Sequence, residues 1–198
     1  MFGFPPRPNV LCPNCRSLER HRLLKLLLDR QPDYWKQKDI LHFAPEDTLR
    51  GLLERAARRY VAGDLNPGEG EIELNIEKLN FPDKSFDLVV CSHVLEHVDD
   101  KLALAEMFRV LRAGGKLLLL FPIVEGWENT YENPDFTSPE LRQRYFGQTD
   151  HVRRFGKDAR DRIKGAGFGL SEFTAMEPDA GRYGLSHGSK VFVATRPA

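Results

Sequence analysis

The run Asp150-His151-Val152-Arg153-Arg154 puts a carboxylate, an imidazole and two guanidinium groups within five residues. Arginine can bind an anionic substrate there and histidine can take its proton, which makes His151, Asp150 and Arg153 the candidate catalytic residues. The same residues would equally form a surface ion pair beside a satisfied histidine, and spacing alone leaves both readings open. Tyr131 and Glu132 lie in the same stretch and are candidates of the same kind. Arg20, His21 and Arg22 belong to a helical stretch that could reach the same mouth, or could simply be a solvated face.

Two further patterns suggest metal chemistry. His93-Val-Leu-Glu-His97 spells H-x-x-E-H, in which two histidines on one helix face hold zinc and the glutamate activates water. It directly follows a buried apolar run, so peptide hydrolysis is not the expected chemistry and no metal is assigned to it. Cys12-Pro-Asn-Cys15 has zinc-knuckle spacing, but a structural zinc needs four ligands and no second C-x-x-C follows. His21 could be a third ligand; zinc is not favoured. An odd count of three cysteines argues against a disulfide framework.

The elements that must position these residues are those of one domain. In 198 residues, Lys plus Arg is 29 and Asp plus Glu is 29, giving zero formal charge and no one-signed field toward nucleic acid or anionic membrane. No apolar run approaches the roughly 18 residues a membrane span needs. The opening MFGFPPRPNV has prolines where a signal peptide needs a continuous apolar stretch, so a cytoplasmic protein is expected. Ser17 is placed to cap a leucine-rich helix through Arg30. A strand over 39–43, a helix over 46–59 and a strand over 60–62 follow, then a turn through Asn66, Pro67, Gly68 and Gly70 and a strand near 71–76. Residues 86–91 read as a strand covered on both faces, 101–112 as a helix stopped by Gly114 and Gly115, and 116–121 as a second buried strand. Residues 122–156 are long enough to be a functional insertion over a pocket. A helix over 157–165 precedes strands over 167–174 and 191–195, separated by a polar loop.

Strands alternating with helices imply a mostly parallel sheet with helices on both faces and a site at the carboxyl ends of the strands. Asp64 closes the second strand, 19 residues after Pro45, near where an acidic residue grips ribose hydroxyls in nucleoside-binding sheets. It could also just open the turn before Asn66.

The segments LNFPDKSFDLVVCSHVLEHVDD (79–100) and FRVLRAGGKLLLLFP (108–122) resemble the centre of class I S-adenosylmethionine-dependent methyltransferases of the type 11 group. The N-terminal CPNCRSLERHR and the later FGQTDHVRRFG resemble a subgroup of that family. The resemblance implies an α/β Rossmann-like fold: a mostly parallel seven-stranded sheet with the last strand antiparallel, over 38–198, with 1–37 as an extension and 122–156 as the substrate lid. It implies S-adenosylmethionine as cofactor, Asp64 on its ribose beside Leu65, Ile76 on its adenine with Asn75 alongside, and Ser92, His93 and Leu95 lining the methyl-donor pocket. The family usually has aspartate at Asn75, whose amide oxygen can still accept from the adenine amino group.

The first loop departs from the family. Where an acidic residue and G-x-G are usual, this chain has His42-Phe43-Ala44-Pro45-Glu46. His42, Ala44, Pro45 and Glu46 are the corresponding cofactor candidates. Glycine there lets the backbone approach the ligand, and both glycines are missing. Glu46 could pair with the cofactor's ammonium, or be a helix-start carboxylate favoured by the macrodipole. The expected activity is methyl transfer to a small-molecule or glycan-type acceptor. The rival is a catalytically silent nucleoside-binding or scaffold protein of the same fold.

Overall fold

A computed structural model describes residues 10–68 and 71–198; the proline-rich start and Gly70 of the expected turn lie outside the described residues. Seven strands form one sheet in the order β3-β2-β1-β4-β5-β9-β8. They are β1 (Asp39–Phe43), β2 (Arg59–Asp64), β3 (Ile72–Glu73), β4 (Phe86–Ser92), β5 (Leu111–Leu120), β8 (Gly169–Thr174) and β9 (Lys190–Thr195). Pairing is parallel from β3 through β5, and β9 runs antiparallel to both β5 and β8. This is the expected sheet.

Side-chain alternation sorts the strands between two cores. Leu41, Val89, Cys91, Leu117 and Leu119 pack with α3 (Asp100–Val110) and α5 (Ala159–Gly165). Ile40, Leu88, Val90, Leu118 and Leu120 pack on the other face with α1 (Glu19–Arg30) and α2 (Asp47–Ala56). Five leucines of α1, Leu23, Leu24, Leu26, Leu27 and Leu28, lie in this second core. At roughly 1.5–3 kcal/mol per buried leucine, α1 is an integral layer of the fold.

Several boundaries differ from the sequence expectation. Helix α1 begins at Glu19 with Leu18 as its N-cap, because Ser17 is turned inward, its carbonyl accepting from Arg22 Nη1 at 2.8 Å. Helix α3 ends at Val110, and Leu111 already pairs with Phe86. Gly114, at φ 75°, and Gly115, where a Cβ would lie 2.8 Å from the Arg112 carbonyl, thus form a bend inside β5 rather than a helix stop. The polar loop before β9 contains α6 (Asp179–Tyr183).

Residues 122–156 are held by polar clamps and by the buried Phe146 and Phe155. They hold α4 (Pro139–Phe146) and a small antiparallel ribbon of β6 (Tyr131–Glu132) and β7 (Arg153–Arg154). Arg153 joins Glu132 at 3.0 Å and the Leu95 carbonyl at 2.9 Å, while Arg162 reaches Asp100 at 3.1 Å and Glu132 at 3.0 Å. The Val152 amide donates to the Glu96 carbonyl at 2.9 Å, which fixes His151 over the end of β4.

Candidate functional site

Register determines which residues share the carboxyl edge. Gly63, Phe43, Cys91 and Leu119 form one row across β2, β1, β4 and β5. Asp64, Ala44, Ser92 and Leu120 follow immediately beyond it.

A cavity of about 470 Å³ opens there, lined among others by Ala44, Gly63, Asp64, Leu65, Asn75, Ile76 and His93. Asp64 fronts it while its Oδ1 accepts the Asn66 amide at 2.8 Å, so the carboxylate opens the turn and faces the cavity together. Asn75 spends one lone pair of Oδ1 on the Glu77 amide at 2.9 Å. Ile76 is buried and Leu65 is exposed at the rim. A carboxylate for vicinal hydroxyls beside apolar walls for a planar ring is a donor set that fits a nucleoside.

Ala44 and His93, at the ends of β1 and β4, have φ of 45° and 56°. This left-handed region costs a residue with a Cβ about 1–2 kcal/mol, and such strain gathers at functional sites. The Ala44 amide donates to the Gly63 carbonyl at 3.0 Å, holding the first loop against β2. The turn glycine would ordinarily make is thus retained without glycine.

The other first-loop candidates point elsewhere. His42 is buried, with Nδ1 2.8 Å from the Tyr60 hydroxyl, and burial pushes its pKa down to about 4. Glu46 is the N-cap of α2 and is gripped by Arg20 and His21 of α1. Burial alone would raise its pKa, but hydrogen bonds from His21 and then Arg20 outweigh that and hold it at about 2. Its negative charge is matched within the protein. Pro45 only leads into this cap. Ser92 is buried, and Leu95 packs into the core, where Val94 and Val98 line the cavity instead.

A second cavity of about 580 Å³ lies under residues 122–156, lined by Arg20, His93, Glu96, His97, His151 and Arg153 with neighbouring apolar residues. His93 and His97 line both cavities. His151 faces the second one, and burial lowers its pKa, leaving a neutral imidazole at neutral pH. Asp150 lies beside the first, with Oδ2 3.3 Å from His97 Nδ1. Arg153 is nearly buried and tied to Glu132, Asp100 and two carbonyls. These partners occupy its guanidinium and anchor residues 122–156, while the side chain still borders the second cavity.

The sequence reading overlooked several residues. Gly63 is one, since a Cβ there would lie 2.2 Å from Leu74 Cδ1; the signal was a glycine just before Asp64. Arg142 of α4 also lines the first cavity and no pattern marked it. Gly184-Leu185-Ser186-His187-Gly188 spells G-x-S-x-G, yet it joins α6 to β9, the reverse of the strand-to-helix turn that exposes a nucleophilic serine. The H-x-x-E-H run is also not helical as that motif requires, because only Leu95–His97 form a 3-10 turn.

At the N-terminus, Cys12 and Cys15 are free thiols. Hydrogen bonding to Ser17 lowers the Cys15 pKa to about 7. His21 cannot complete a metal set there, since its Nδ1 faces the Leu18 amide at 3.1 Å and the Thr48 hydroxyl at 2.9 Å, and its Nε2 faces Glu46.

The model of a methyltransferase domain family matches residues 43–119. The ubiquinone/menaquinone biosynthesis C-methyltransferase UbiE of Vibrio cholerae is 37% identical over 94 residues, 45% of this chain and 36% of that protein. The chain thus spans about a third of that relative's length. Among solved structures, the Burkholderia thailandensis 1,6-didemethyltoxoflavin-N1-methyltransferase with bound S-adenosylhomocysteine superposes at TM-score 0.62 with 17% identity, covering 91% of this chain and 80% of that one. The [4+2]-cyclase SpnF superposes at TM-score 0.65 with 14% identity, covering 90% of this chain and 82% of that one. At such identities the likeness is one of fold.

Proposed function

We propose that the chain is a class I methyltransferase of the type 11 group, as the family match over residues 43–119 and the likeness to a C-methyltransferase support, and that it transfers the methyl group of S-adenosylmethionine to a small-molecule or glycan-type acceptor held under residues 122–156. The observation that carries this reading is the meeting of the two cavities at His93 and His97, one bordered by Asp64 and Ile76, the other by His151. When bound, the cofactor supplies a methyl carbon made electrophilic by its sulfonium.

Asp64 would accept from the ribose hydroxyls, and Ile76 and Leu65 would flank the adenine with Asn75 at its edge. Backbone groups at Ala44 would approach the amino-acid end. Glu46, with its charge already matched by Arg20 and His21, would act on that end only by holding α2 in place. An acceptor held in the second cavity would direct its lone pair at that methyl carbon, the carbon–sulfur electron pair leaving with sulfur. His151, neutral and facing the acceptor cavity, takes the acceptor's proton where one must leave. Alignment of the reactants supplies most of the acceleration, which fits a site without a nucleophile relay.

The rival, a silent nucleoside-binding protein, draws support from the first loop, where Ala44 occupies a glycine conformation, and from a fold that serves a cyclase as well. The test is transfer of labelled methyl into separated metabolite, oligosaccharide, RNA and protein fractions. Label in the first two, lost in His151→Asn while S-adenosylhomocysteine binding persists, is the expected result. Label in RNA or protein would overturn the acceptor class, and binding without any transfer would favour the rival.

A further inference from the structure

Glu96 sits in the 3-10 turn Leu95–His97 that follows β4, with its side chain only 2% exposed, and neither carboxylate oxygen has a hydrogen-bond partner among the described residues. A buried ionised carboxylate without a partner is expensive. The nearby cations do not relieve it: Arg20 is committed to Glu46, Arg153 to Asp100 and Glu132, and Arg154 lies over Trp127. What does surround it is imidazole. Donor atoms of Glu96, His97 and His151 all lie within 4.8 Å of one another, and His93 Nδ1 is 3.2 Å from Glu96 Oε1.

We infer that Glu96, His97 and His151 bind a divalent transition-metal cation on the wall of the acceptor cavity. Two imidazoles and one carboxylate suit zinc, cobalt or iron(II), and leave coordination positions open. Two nitrogen donors disfavour magnesium and calcium. Asp150 Oδ2, 3.3 Å from His97 Nδ1, provides the carboxylate that commonly orients a ligating histidine. The segment carrying His151 is fixed to this spot by the bond from the Val152 amide to the Glu96 carbonyl. The set is distinct from the two-histidine helix pair that the H-x-x-E-H spelling suggests, because His151 comes from the insertion 57 residues after Val94.

The site itself follows from these side chains; its consequence for catalysis rests on the methyltransferase reading. An acceptor oxygen would replace water on the cation, which narrows the acceptor to a hydroxyl- or carboxylate-bearing molecule. With the cation seated, His151 serves as ligand in place of base, and the cation itself acidifies a coordinated hydroxyl.

The test uses the full chain stripped with chelator, then titrated with zinc and cobalt(II) while metal content, cobalt visible absorption, melting temperature and S-adenosylhomocysteine binding are followed. One equivalent of metal is expected, raising the melting temperature, with affinity falling about 100-fold or more in Glu96→Gln and in His151→Asn while S-adenosylhomocysteine binding persists. Glu96→Gln removes a buried charge, so the stripped variant should melt no lower than the stripped wild type. A wild type that binds S-adenosylhomocysteine but no metal overturns the site and leaves the methyltransferase reading standing. Metal bound without S-adenosylhomocysteine supports the site and counts against that reading. Metal retained by both variants but lost in Cys12→Ser with Cys15→Ser overturns the assignment and places the cation on the thiols.

Discussion

His21 of α1 and Glu46 of α2 are bonded across two helices, with Nε2 of the imidazole on the carboxylate and Nδ1 facing the Leu18 amide at 3.1 Å. The amide can only donate, so Nδ1 accepts and the ring proton resides on Nε2, directed at Glu46. One histidine therefore finishes the start of α1 and ties it to the cap of α2. Glu46→Gln is expected to cost about 2 kcal/mol at neutral pH, read from urea unfolding, with S-adenosylhomocysteine affinity changed only modestly. A large loss of affinity at unchanged stability would restore the ion pair with the cofactor's ammonium.

Acid should unfold the protein in stages. The buried His42 has a folded pKa of about 4 against an ordinary 6.5, so the unfolded chain binds the extra proton and stability falls as pH drops from about 6.5 to 4. Glu46 has a depressed pKa of about 2 against 4.5; its contribution is complete above about 4.5 and is lost as pH falls toward 2. Urea midpoints at pH 7, 5 and 3 should decline throughout. A His42→Phe variant should lose the upper part of that slope and Glu46→Gln the lower part; parallel slopes in all three proteins would refute the assignment.

Gly63→Ala should lower stability by roughly 2 kcal/mol and the melting temperature by roughly 4 to 8 °C, because the new methyl would lie 2.2 Å from Leu74 Cδ1 and 3.1 Å from the Ile72 carbonyl. Trimming Leu74 to alanine in the same chain should recover part of the loss relative to the sum of the single changes. Strict additivity would mean the contact does not matter.

Much of the architecture was legible because burial imposes simple periods. The near-continuous apolar runs of β4 and β5 and the leucines of α1 mark a two-faced sheet in the sequence itself. What misled was glycine: Gly114 and Gly115 look like a helix stop, while the chain had already turned extended at Leu111 to pair with Phe86. At the site, Asp64 was readable from its position at the end of β2, whereas Asn75, Ile76 and His93 came from the family resemblance. Glu96 and His151 are 55 residues apart in sequence, and the bond from the Val152 amide to the Glu96 carbonyl, with the clamps of Arg153 and Arg162, brings them together. No local pattern encodes such a meeting.

Ala44 offers a cleaner probe of the first loop. Its φ of 45° predicts that Ala44→Gly keeps or slightly raises stability, by up to about 1 kcal/mol, and does not weaken S-adenosylhomocysteine binding. Ala44→Val, with a branched side chain in a left-handed turn, should cost about 1–2 kcal/mol or more and weaken binding. The pair of melting curves and titrations decides the matter; equal behaviour of the two variants would show that the loop is not held in this conformation.

The cavity beside Asp64 is expected to hold S-adenosylmethionine. Calorimetric titration of the purified protein with S-adenosylmethionine and S-adenosylhomocysteine, repeated on Asp64→Ala, addresses it most directly. Saturable one-to-one binding that collapses in a folded Asp64→Ala variant is the predicted result. No binding by the folded wild type, or equal binding by the variant, would contradict it.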